Sequence, residues 1–139
     1  MIVAVTGTPG TGKTTATTLL ENRPDAFDVD LDVVHLNEVI REEGLTEGHD
    51  DERDSAVADL DAVRDWLDGR EDLLVESHLA HRVDADRVVV LRCHPEVIEQ
   101  RLRERGESEA SARENAESEA LDVILAEAVD RHGPEAVYE

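Results

Sequence analysis

Residues 2–15 read Ile2-Val3-Ala4-Val5-Thr6-Gly7-Thr8-Pro9-Gly10-Thr11-Gly12-Lys13-Thr14-Thr15. A short β-branched run passes directly into a glycine-rich turn, and Thr15-Ala16-Thr17-Thr18-Leu19-Leu20 can continue from it as a helix. The stretch from Gly7 to Thr14 satisfies the phosphate-loop pattern G-x-x-x-x-G-K-[ST] at every fixed position. Between a strand and a helix, the N–H groups of such a turn and the helix N-terminus form a cradle for anions. Lys13 is the only lysine of the chain; every other basic side chain among its 14 Lys and Arg residues is an arginine. An ammonium is a compact point charge that reaches between β- and γ-phosphate oxygens, where a planar guanidinium fork does not fit.

The surroundings of this loop are strongly acidic. The 139 residues carry 35 Asp and Glu, for a net charge of −21, and the aromatics are limited to Phe27, Trp66 and Tyr138. The length suits one domain, spanning 1–139, with an interior built from Val, Leu, Ile and Ala. Bounded apolar runs at 2–5, 72–75 and 87–91 argue for a folded chain with an acid-saturated surface, not for disorder. Such a surface, almost free of lysine, points to the cytoplasm of a halophilic archaeon, where salt shortens the Debye length to about 3 Å or less. The acidity leaves no basic face for a broad grip on nucleic acid. No run approaches the length of a membrane span, and no signal segment is evident. The single cysteine, Cys93, has no internal disulfide partner.

Beyond the loop, strand-like and helix-like segments alternate, which reads as an α/β fold: helices on both sides of a central parallel sheet of four to five strands. Residues 27–31 read as a short second strand, and 33–43 as a helix stopped by Gly44. The polar stretch 46–54 is either mobile or folds over a ligand. Val57, Leu60, Val63, Trp66 and Leu67 recur at helical spacing, with Gly69 placed to end the helix. Residues 73–76 form a buried type of strand with an acid, Glu76, at its carboxyl end, and 87–91 form another. Pro95 opens a helix closed by Gly106. Ser108 is placed to cap one long helix running to about residue 131. Residues 136–139 begin a fifth strand, so the chain reads as cut short at its C-terminus.

Phosphoryl transfer asks a protein for positioning and charge stabilisation, so the expected parts can be named. Gly10, Gly12 and Lys13 are candidates to hold the ATP phosphates, Thr14 to ligate Mg²⁺ through its hydroxyl, and Thr15 to contact the α-phosphate. Glu76 is the candidate acid on the magnesium side. His78, two residues on, is placed to orient an attacking water or to polarise the nucleophile. Arg101 and Arg105 share one helix face, and Arg105 stands at the entrance to the polar segment 106–115, which could close as a lid. Arg103 reads as part of a solvated ion-pair face.

With these elements in place, the chain resembles the adenylate kinase isoenzyme 6 family, small P-loop nucleotide kinases also described as ribosome-assembly ATPases. The resemblance spans nearly the whole chain. It rests on Thr6 to Thr15, on Arg41-Glu42-Glu43 with Glu47-Gly48-His49-Asp50, and on Asp59-Leu60-Asp61. Glu76-Ser77-His78 and Arg101 to Gly106, with Asn115 and Glu119 beyond, complete it. It implies a three-layer P-loop kinase fold, transfer of the ATP γ-phosphate to AMP, a side ATPase activity, and a small-subunit ribosomal protein as partner. It places AMP binding at about 30–58, where Arg41 and Arg53 are the available cations, and the lid at about 105–115. Glu76 stands where the family commonly has the shorter Asp, and family members usually continue past the position of Glu139. Two other functions fit the same loop: an ATP-driven assembly factor without significant AMP turnover, and a kinase for another small acceptor.

Overall fold

The computed structural model describes residues 1–23, 30–50 and 55–139. Five strands form one parallel sheet: β1 (Ile2–Thr6), β2 (Asp32–His35), β5 (Leu73–Glu76), β6 (Arg87–Val90) and β7 (Val137–Tyr138). Their order is β2-β5-β1-β6-β7. The strand carrying the glycine loop is thus central, and β5 lies beside it with Val5 opposite Glu76. Among the described residues, six α-helices flank the sheet: α1 (Lys13–Asn22), α2 (Leu36–Glu42), α3 (Leu60–Leu67), α4 (Pro95–Glu104), α5 (Glu109–Ala120) and α6 (Val123–His132).

Strand alternation divides the interior. Ala4, Leu73, Val75, Val88 and Val90 join Leu36 and Ile40 of α2, Val63 and Leu67 of α3, and Ala128 of α6 in the main core. On α2 and α3 the buried residues recur four apart, and their own sequence spacing selects the covered stripe. Trp66 packs against the edge of this core, with the Arg70 guanidinium 3.9 Å from its ring centroid. A smaller cluster of Ile98, Leu102 and Ala112 joins α4 to α5.

Several expectations are met and several are corrected. Pro95 opens α4, Ser108 caps α5 by accepting from the Ser111 N–H at 3.1 Å, and residues 137–138 form the fifth sheet strand. The expected strand at 27–31 falls largely outside the described residues. The segment 33–43 is not one helix: Val33 and Val34 run in β2 against β5, and helix α2 starts only at Leu36. Of the polar stretch, residues 46–50 form β3 (Thr46–Asp50), which pairs antiparallel with β4 (Ser55–Ala58); residues 51–54 lie outside the described ones, and Val57 belongs to β4, not to a helix. The single long helix after Ser108 is two. Asp122, at φ 56°, breaks it between α5 and α6. The Arg92 guanidinium holds the Glu119 carbonyl at 3.2 Å and also bonds the Asp122 carboxylate, so the end of α5 is tied down and cannot run on. Among the described residues, no helix is long and apolar enough to cross a membrane.

Candidate active site

The carboxyl ends of β1, β5 and β2 meet at the head of α1, the position at which open parallel sheets form their binding crevices. The turn between β1 and α1 needs its glycines. A Cβ on Gly7, at φ 150°, would stand 2.7 Å from the Leu91 carbonyl oxygen, and Gly12, at φ 96°, is the left-handed residue from which α1 starts. The Arg101 side chain reaches back from α4 and donates to the Gly10 carbonyl at 2.9 Å.

Lys13 is the first residue of α1 and is only 7% exposed. Its Nζ donates to the Thr8 carbonyl at 3.2 Å and to Thr11 Oγ1 at 3.5 Å, contacts that curl the side chain over the turn. Burial pulls its pKa down to about 8. The Glu76 charge opposes that pull and the Arg105 charge adds to it.

Glu76 ends β5 and is buried. It accepts from Thr14 Oγ1 at 3.3 Å through Oε1, and from His35 Nδ1 at 2.9 Å through Oε2. His35 also lies 3.3 Å from Glu21 Oε1. Burial lowers the pKa of His35, but its bonds to Glu76 and Glu21 outweigh this and leave it raised. Two residues past Glu76, His78 is pushed down to about 4, by burial first and then by the charges of Lys13, His81 and Arg82. Its ring is neutral at pH 7 and can accept a hydrogen bond. Ser77 donates to Asn37 Oδ1 at 2.7 Å, joining this strand end to α2.

A cavity of about 480 Å³ gathers Pro9, Gly10, Gly12, Lys13, Thr14, Thr15, Asn37, Glu76, His78, Arg105 and Glu107. A neighbouring depression of about 580 Å³ shares Gly10, Gly12, Thr15 and Arg105 with it and extends along Ala16, Leu19 and Arg101. The candidate residues of the loop, Glu76, His78 and Arg105 therefore face one space. Arg41 does not: it is exposed on α2 and absent from the cavity wall. Arg53 lies outside the described residues. The proposed lid begins as a tight turn at Arg105 and Gly106 and continues into the first half of α5.

Sequence reading missed His35, Asn37 and Glu107. His35 was recoverable in principle, because a strand placed at 32–35 aligns it with Glu76. Asn37 and Glu107 carry no distinguishing local signal. It also underestimated Glu119. This buried carboxylate accepts from Thr8 Oγ1 at 3.4 Å, Arg92 Nε at 3.0 Å and the Cys93 N–H at 2.9 Å, and so braces the back of the glycine loop.

Residues 3–122 match a family model described as an AAA domain. A protein of Natronomonas pharaonis named "Putative adenylate kinase" is 66% identical over 100% of this chain and 79% of its own length. Relatives of the same name occur in Halobacterium salinarum, at 60% identity over 100% of this chain and 79% of theirs, and in Methanosarcina barkeri, at 46% over 94% and 71%. A solved kinase from Silicibacter sp. TM1040, titled a "putative fructose transport system kinase", covers 100% of this chain and 89% of its own, with TM-score 0.47 and 17% identity. That likeness is too distant to bear on the site. The glycine loop at the head of α1 and the likeness, over the whole of this chain, to relatives from halophilic archaea lead to one assignment. The chain belongs to this archaeal adenylate kinase family, and it is a small P-loop nucleotide kinase.

Proposed function

We propose that this nucleotide kinase transfers the γ-phosphate of ATP to AMP, yielding two ADP, in a cytoplasm of high salt. The observation that carries this reading is the buried Lys13 ammonium facing the same cavity as Glu76, His78 and Arg105. In this reading the N–H groups at the head of α1 and Lys13 hold the β- and γ-phosphates, and Arg105, lining the same cavity, meets charge developing on the transferred group. Thr15, two residues beyond Lys13 on α1 and lining the same cavity, would contact the α-phosphate. The Thr14 hydroxyl and the Glu76 carboxylate, 3.3 Å apart, are hard oxygen donors that fit Mg²⁺ directly or through its waters. Bound there, Mg²⁺ would neutralise charge on the β- and γ-oxygens.

A second reading is favoured by two observations. Among the described residues, the cations on the cavity wall are Lys13 and Arg105, both on the triphosphate side, and neutral His78 can accept a proton-bearing bond from water. In that reading ATP is hydrolysed, and the cycle drives assembly with a small-subunit ribosomal protein. A panel of nucleoside monophosphates with Mg-ATP in molar KCl separates the two. AMP is expected to raise ADP formation at least about tenfold over the acceptor-free rate. Equal rates with and without AMP favour hydrolysis, and a preference for another monophosphate identifies a different acceptor.

The Lys13 pKa supplies a second expected result. Free Lys13 loses its proton near pH 8, and a bound triphosphate raises that pKa. The complex therefore holds a proton that the free protein has released. ATP affinity is expected to fall as pH rises through about 8, by at most about tenfold per unit. Calorimetric titration from about pH 7 to 9.5 checks this, and an affinity flat across that range contradicts it.

A further inference from the structure

His35 and Glu76 occupy matched positions at the carboxyl ends of neighbouring parallel strands. Both side chains are well covered, at 16% and 6% exposure. The Glu76 carboxylate is divided between two partners: Oε2 takes the His35 ring at 2.9 Å, and Oε1 takes the Thr14 hydroxyl at 3.3 Å. Glu21, on α1, meets the other ring nitrogen at 3.3 Å and so fixes the plane of the imidazole. The chain of contacts runs Glu21, His35, Glu76, Thr14, and begins and ends on the same helix.

A glutamate has one more rotatable bond than an aspartate, so an untethered carboxylate here would sample several positions around the head of α1. The His35 contact removes that freedom. It leaves Oε1 as the oxygen presented beside the Thr14 hydroxyl. We infer that His35 is a positioning residue, which aims the long Glu76 side chain at the magnesium side of the nucleotide site. This rests on the reading of Glu76 as the magnesium-side acid. His35 does not line the cavity wall and acts only through Glu76.

The test reads binding, not turnover alone. The quantity is the ratio of ATP dissociation constants without and with Mg²⁺, measured by calorimetry in molar KCl. His35→Ala is expected to reduce this ratio about tenfold or more, the usual cost of losing an outer partner of a metal-side ligand. Affinity for metal-free ATP should change less than about twofold, which also reports an intact fold. His35→Asn, whose amide nitrogen can stand where Nδ1 stands, should retain most of the ratio. In a Glu76→Asp background the shortened carboxylate no longer spans to the ring, so adding His35→Ala should change the ratio less than about twofold. An unchanged ratio in His35→Ala, or effects of His35→Ala and Glu76→Asp that simply add, overturns the positioning role. An unchanged ratio in Glu76→Gln instead removes Glu76 from the magnesium side, and the inference falls with it.

Discussion

Replacement of Lys13 by alanine is expected to lower turnover at least about a thousandfold, roughly 4 kcal/mol of transition-state stabilisation, while the protein stays folded. Lys13 is the only lysine, and within the cavity it stands at the head of α1, where the proposed function places the phosphates of a nucleotide. No second lysine exists to take its place. The folded state is expected to tolerate the change, since the Nζ contacts are to the Thr8 carbonyl and the Thr11 hydroxyl and form no ion pair. Desolvation already opposes the charge, as its pKa near 8 shows. Lys13→Arg should rescue little, because a rigid planar fork must fit beside the same two oxygens. Steady-state rates in molar KCl, with circular dichroism to confirm folding, decide the matter. Activity within tenfold of the parent would mean that another group neutralises the phosphates.

Glu119→Ala should produce the largest loss of stability, about 3 kcal/mol, or a fall of roughly 10 °C in Tm. Truncation leaves the Cys93 N–H without its acceptor and takes from Arg92 its buried partner. It also frees the Thr8 hydroxyl, which shares Oε1 of the carboxylate with Arg92. Arg92 is 25% exposed and keeps Asp122 and Glu139, so the cost falls at the lower end for a broken buried pair. Glu119→Gln keeps an acceptor oxygen and should cost less, about 1–2 kcal/mol. Because Thr8 also carries the carbonyl that holds Lys13, ATP affinity should weaken along with stability in the alanine variant. Denaturant unfolding at fixed salt measures the first effect. A loss below about 1 kcal/mol would show that the brace is dispensable.

The two outcomes differ in how visible their causes were in the chain itself. Lys13 declares itself through fourteen consecutive residues, because the order of strand, glycine turn and helix start is carried by their local pattern. Glu119 is one of 35 acids and looks like its neighbours. Its importance comes from Thr8, 111 positions away, and from Arg92, 27 positions away. The pairing of β3 with β4 was illegible for another reason: Thr46-Glu47-Gly48-His49-Asp50 has no alternation of apolar and polar residues. The apolar pair Val33-Val34 fits the end of a strand and the start of a helix equally well by local pattern. Only pairing with β5 decides for the strand.

Local order was therefore written in the residues: the glycine loop between β1 and α1, the buried runs of β5 and β6, the proline that opens α4 and the serine that caps α5. Each depends on backbone geometry or hydrophobic spacing within a few positions. Long-range closeness decided the rest. The sheet order set His35 against Glu76, and Arg92 drew in the end of α5 from 30 residues before Asp122, breaking one helix into two. Such contacts form only when distant segments are brought together, and a linear pattern contains no term for that distance.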